Sequence, residues 1–188
     1  MTTTARDDPD AELVLRAGAG DQAACSQLVD RWLAPVHRLA QRVLGNAADA
    51  DEVAQDTFLR VWEHASRWKP DAKFSTWLFR VAHNLCMDRL RARRPGDDTL
   101  LDTLGDETTV AREAERAATA ASVREAVAAL PARQRMALSL CHFEELGNIE
   151  AAGVMDISVE ALESLLGRAR RALRSSLATL VDEADAAR

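Results

Sequence analysis

The chain has 188 residues, 47% of them hydrophobic and 4% aromatic, with four tryptophans, four phenylalanines and no tyrosine. That length allows one domain or two small ones, the apolar content argues against a wholly disordered chain, and a balance of 24 basic to 30 acidic side chains (net −6) excludes a polybasic arm. No apolar run of about 18 residues occurs and the start lacks an apolar signal core, which excludes membrane spanning and signal-peptide secretion, while Cys25, Cys86 and Cys141, unpaired in spacing, read as reduced thiols of a cytoplasmic protein.

Helical spacing dominates, and no stretch reads as strand. Asp21 is positioned to cap a helix over 22–44, with Leu28, Trp32, Val36, Leu39 and Val43 on one stripe and a kink expected at Pro35. Gly45 closes that helix. Asn46 caps the next, which runs to about Trp68 with Val53, Thr57, Val61 and Ala65 aligned. Its start is acidic through Asp49, Asp51, Glu52 and Asp56, which suits the helix macrodipole. After the Lys69-Pro70-Asp71 loop, Ser75 is the expected N-cap of a helix reaching about Arg94, packed through Trp77, Leu78, Val81, Leu85 and Leu90. Residues 60–94 hold nine basic side chains against three acidic ones. Phe74, Trp77 and Phe79 lie among them as candidates for stacking on unpaired bases, with Lys73, Arg80, Arg89, Arg91, Arg93 and Arg94 as phosphate partners. Aromatics at helical spacing are more often core than base platforms, and core is the role expected mainly for Trp77.

Pro95-Gly96-Asp97-Asp98 breaks the pattern, and the acidic, aperiodic stretch to about Thr109 reads as a flexible linker. Helices resume over about 110–130, and Pro131 starts another running to about Glu144. A short helix from Ile149 to Met155, a turn through Asp156-Ile157-Ser158 and a longer helix from Val159 then make a helix-turn-helix, with Asp156 at the left-handed turn position and Ser158 as cap. In the second helix Leu162, Leu166, Ala169, Leu173, Leu177 and Leu180 step along one face. Glu160, Glu163, Ser164, Gly167, Arg168 and Arg171 line another, where arginines suit phosphates and guanine edges and a glutamate can accept from cytosine. An ordinary two-helix corner with a solvated Arg-rich end fits the same pattern. The expected fold is therefore all-α: two small helical domains, 10–94 and 110–183, joined by an acidic linker over 95–109, the second a helix-turn-helix.

The order ADADEVAQDTFLRVW, KFSTWLFRVAHNLCMDRLRARR, acidic linker, LPARQRMAL, NIEAAGVMDISVEALESLLGRARRAL resembles a bacterial RNA polymerase sigma factor of the extracytoplasmic-function (ECF) group of the sigma-70 family, over about Asp10 to Leu180. The resemblance implies that Asp49, Asp51, Glu52, Gln55, Asp56, Phe58 and Trp62 dock on the clamp helices of the largest catalytic subunit of core RNA polymerase, complementary charge steering the encounter. It implies that Lys73, Phe74, Ser75, Trp77, Arg80, Asn84, Asp88 and Arg91 melt and capture the −10 element of promoter DNA, and that the helix-turn-helix reads the −35 element. An anti-sigma factor is the further partner it implies. Asp156 stands where the family often has a turn glycine, and Glu163 and Leu165 depart from its common reading-helix residues.

Other classes explain less of the chain. His83 with Cys86, or Cys141 beside His142, lacks a second ligand pair at zinc spacing or an acid-base partner, and no Gly-rich phosphate loop occurs. Neither an enzyme nor a cofactor is expected. A stand-alone helix-turn-helix regulator of duplex DNA would use the C-terminal half but leave the acidic helix and the aromatic-basic stretch without a role.

Overall fold

The computed structural model describes residues 8–70, 72–93 and 111–178, without the side chains of 111–118. The acidic stretch 95–109, Arg94 and Leu180 lie outside the described residues. Among the described residues there are eight α-helices and no strand: α1 (Ala11–Gly18), α2 (Gln22–Leu44), α3 (Ala47–Ala65), α4 (Phe74–Ala92), α5 (Ala111–Ala128), α6 (Ala132–Leu138), α7 (Asn148–Met155) and α8 (Val159–Ser176). A π-helical turn, Ser139–Phe143, extends α6.

Local chemistry sets most boundaries. Asp21 Oδ1 accepts from the backbone N–H groups of Ala23 and Ala24 at the start of α2, which continues through Pro35 and ends at Gly45 in the left-handed conformation (φ 68°). Asn46 Oδ1 accepts from Asp49 N and starts α3, which stops at Ala65, short of the expected Trp68. Ahead of the first helix read from the spacing, α1 is present and buries Leu13, Val14 and Ala17. The start of α4 also differs from expectation. Ser75 does not cap it; the N-cap position is Lys73, whose side chain makes no capping bond, and Asp8 Oδ2 accepts from Phe74 N at 2.6 Å. The cap comes from across the chain, ahead of α1. Nearby, the buried Asp10 carboxylate accepts from Trp32 Nε1 at 2.9 Å and pairs with Arg31, tying the entry of α1 to α2.

The core of α1–α4 is built from Val14, Leu28, Val36, Leu39, Val43, Val53, Phe74, Leu78 and Phe79, all essentially inaccessible. Burial of each such side chain contributes about 1.5–3 kcal/mol. Trp32 meets Phe74 and Phe79 edge-on at 6.3 and 5.8 Å, and Trp68 and Trp77 close on Phe74 at 6.4 and 5.9 Å. In the C-terminal half, α6, α7 and α8 enclose Met136, Leu140, Val154 and Leu162. The apolar core runs without a break from α2 and α4 into α6, the π turn and α7.

Candidate nucleic-acid interface

The helix-turn-helix forms at the expected residues. Asp156 takes the left-handed conformation (φ 53°), and Ser158 Oγ accepts from Ala161 N at 3.2 Å to begin α8. Leu162, Leu166 and Ala169 face inward as read, joined by Leu165, while Leu173 and Leu177 are half-buried. Glu160, Glu163, Ser164, Arg168 and Arg171 are all exposed, and Gly167 lies between them. Among the described residues Arg168 bonds only within its own helix, to Ser164 O (3.3 Å) and Ser164 Oγ (3.2 Å), and Glu163 Oε1 accepts from Asn148 Nδ2 at 3.4 Å. Bonds to its backbone and to Ser158 hold the Glu160 carboxyl below the usual range, so it stays an acceptor. A Cβ on Gly167 would touch only Arg171 Nη1, at an ordinary 3.8 Å. Nothing among the described residues demands glycine there.

On α4, Arg80, Asn84, Asp88 and Arg91 form an exposed stripe, with Lys73 and Trp77 half-exposed at its N-terminal end. Asn84 Oδ1 lies 3.1 Å from His83 Nδ1, and Asp88 pairs with Arg91 at 3.3 Å. Two expected base-stacking rings are not available: Phe74 and Phe79 are 0% and 1% exposed, closed in by the tryptophans around them. Trp77 is half-buried against Phe74, in keeping with a mainly structural ring. Ser75, freed from capping, is half-exposed. Cys86 packs in the core, where burial pushes its thiol up to about 12, so it is no reactive thiolate.

The acidic start of α3 divides between two faces. Asp49, Glu52 and Asp56 turn to α4, where Arg89 pairs with all three and Arg93 pairs with Asp49 and donates to Leu44 O at 2.8 Å. Those arginines, read as phosphate partners, are held by carboxylates of their own chain. Asp51, Gln55, Phe58 and Trp62 turn instead to α2 and line an open groove of about 790 Å³ together with Leu33, His37 and Leu59. Leu33 and Leu59 are 43% and 52% exposed, and the Phe58 and Trp62 rings lie 5.8 Å apart. Asp51 sits 3.0 Å from His37 Nε2 on the rim. Leu33 and Leu59 were not legible in the sequence as part of this groove because, on different helices, they show no shared spacing.

Comparison with known proteins gives the family. Residues 28–95 match the Sigma-70 region 2 family model, and residues 120–173 match Sigma-70, region 4. The ECF RNA polymerase sigma factor SigM of Mycobacterium tuberculosis is 32% identical over 91% of this chain and 86% of its own length. The chain is an ECF sigma factor of the sigma-70 family. It is also 31% identical to the RNA polymerase sigma-H factor of Pseudomonas aeruginosa, over 94% of this chain and 98% of the relative. The solved structure of CnrH in complex with the cytosolic domain of CnrY superposes with a TM-score of 0.68 at 30% identity, covering 92% of this sigma factor and 99% of CnrH. A sigma factor is an initiation factor for transcription and not an enzyme. No described helix of this one is long and apolar enough to cross a membrane.

Proposed function

We propose that this sigma factor binds core RNA polymerase through the α2–α3 groove, melts and holds the −10 element along α4, and reads the −35 element with α8. The groove carries the reading. An apolar trough with two exposed leucines, rimmed by Asp30 and Asp51, is the kind of surface that receives a helical partner, and a regulator that binds duplex DNA alone has no need of it. Asp51 and Gln55 supply the polar edge and Phe58 and Trp62 the floor, while Asp49, Glu52 and Asp56 position α3 through Arg89. Along α4, Arg80, Asn84, Asp88 and Arg91 offer a polar track for an unpaired strand, with Lys73, Ser75 and Trp77 at its head. Phe74 supports that track from within. On α8, Arg168 and Arg171 approach phosphates or guanine edges, and Glu160, Glu163 and Ser164 accept or donate at base edges. The functional units are 10–94 and 110–183, and the sigma factor acts in the cytoplasm, where its polymerase is. An anti-sigma partner follows by analogy with CnrH, solved in complex with the cytosolic domain of CnrY.

Reconstitution tests this. Purified chain and bacterial core polymerase are incubated with a pool of promoter fragments, and transcripts are sequenced. Specific initiation is expected. Tight binding to a duplex operator without any association with core would replace this reading by that of a stand-alone regulator.

A further inference from the structure

Two carboxylates stand on the exposed side of α8, and the chain uses them differently. Glu160, in the first turn, is engaged by the helix start itself, through its own backbone and Ser158. Glu163 lies one turn further in. Its neighbours three and four positions away, Val159, Glu160, Leu166 and Gly167, include no cation to neutralise it. Its partner comes instead from the other helix of the motif: Asn148, the first residue of α7, donates from Nδ2 to Glu163 Oε1 at 3.4 Å. The other end of that amide is held as well, since Cys141 Sγ donates to Asn148 Oδ1 at 4.0 Å, and burial pushes this thiol up, so the S–H is kept. The backbone N–H of Gly147 donates to Glu150 Oε2 at 3.2 Å and fixes the start of α7. Asn148 and Glu163 are both exposed, so the pair is open to a duplex laid on α8.

We infer that Asn148, outside the reading helix, is a positioning residue for base choice: it holds one oxygen of Glu163 so that the other accepts from the N4 amino group of a cytosine in the −35 element. An ionised carboxylate only accepts. Guanine presents N7 and O6 in the major groove and thymine O4, all acceptors that repel it, and adenine sets its N7 acceptor beside the N6 amino group. Cytosine is the base that offers a donor there with no acceptor of its own. A carboxylate free to swing escapes a wrong base at little cost, whereas one tied to Asn148 stays and penalises the mismatch. This rests on the assignment of α8 to the −35 element.

The test uses the full chain assembled with bacterial core polymerase. A promoter pool randomised across the −35 region is selected for binding, and bound fragments are sequenced for wild type, Glu163→Gln, Asn148→Ala and Arg168→Ala, with thermal midpoints measured alongside. Wild type is expected to favour cytosine about tenfold at one position. Glu163→Gln should move the preference at that position to adenine, because an amide donates to N7 while accepting from N6. Asn148→Ala should shrink the cytosine preference at the same position and leave the other positions and the midpoint as they are. A merely structural role would lower the midpoint or blur every position alike, and either result overturns the proposal. So do unchanged base frequencies in Glu163→Gln, a full cytosine preference in Asn148→Ala, or a wild-type preference for guanine, thymine or adenine at the position that Glu163→Gln alters. Should Asn148→Ala fail to fold, Asn148→Asp, which keeps the shape and removes the donor, carries the same outcomes. Arg168→Ala separates the two readings. Unchanged frequencies at every −35 position in all the variants remove α8 from that element, whereas a change with Arg168→Ala and none with Glu163→Gln overturns only the roles of Glu163 and Asn148.

Discussion

Gly167 sits in the interior of α8, where glycine is about 1 kcal/mol less favourable than alanine, and a Cβ has room there. Gly167→Ala is therefore expected to raise the denaturation midpoint while weakening binding of −35 duplex. A variant that is more stable and binds equally well would remove Gly167 from the reading face. His83 makes a second test at single-residue level. Burial holds its imidazole below the ordinary 6.5, with Arg133, Arg80 and Arg91 adding repulsion and the Asn84 contact opposing. The unfolded chain then binds the proton more readily than the folded one. The neutral ring's contribution is intact above 6.5 and is lost as pH falls from there toward the lowered folded value. Urea midpoints should fall as pH drops from about 7.5 to about 5.5, and His83→Gln should flatten the part of that slope due to this ring. Identical slopes for both proteins would assign the effect elsewhere.

Among elements, α1 is held by a contact that only glycine permits. A Cβ on Gly18 would lie 2.7 Å from Ala65 C and Ser66 N, backbone atoms at the end of α3. Gly18→Ala should cost about 1–3 kcal/mol and expose α1 amides first in hydrogen exchange; an unchanged midpoint would show that the α1–α3 approach relaxes freely. The same helices show what was legible in the sequence. The helix-turn-helix was readable because its determinants are local: Ser158 caps within three residues, Asp156 turns in place, and the leucines repeat every three or four positions. The cap on α4 was not, because Asp8 and Phe74 are 66 positions apart, and a nearby serine offered a local alternative. The π turn at Ser139–Phe143 also escaped notice. One residue per turn beyond the α spacing leaves no mark in a five-residue stretch, yet it carries Phe143 to Arg42. The charge cluster on α3 was visible, but its split into an arginine-paired face and a groove face depends on which helix lies opposite each side chain.

At the scale of the whole molecule, docking and DNA reading occupy separate surfaces, so they should be separable. Leu33→Asp with Leu59→Asp alters two exposed side chains of the groove and is expected to weaken association with core polymerase at least about tenfold, or about 1.4 kcal/mol, while the −35 duplex contact of the chain is retained. Undiminished association would move the docking surface elsewhere. A different consequence follows from how the arginines are used. Arg42, Arg80, Arg89 and Arg93 face carboxylates or a carbonyl of their own chain, and Arg135 donates to Val43 O and Ala128 O. Such cations neutralise no phosphate, and it is neutralised phosphate that sheds condensed counterions. The affinity of the free chain for duplex should therefore decline only gently as ionic strength rises, with a slope set by the few arginines of α8, at about 0.9 per phosphate on a logarithmic scale. Where Lys73 and Arg80 meet an unpaired strand, each adds about 0.7 to that slope. Ionic strength then acts more strongly on the opened promoter complex than on the first encounter with duplex.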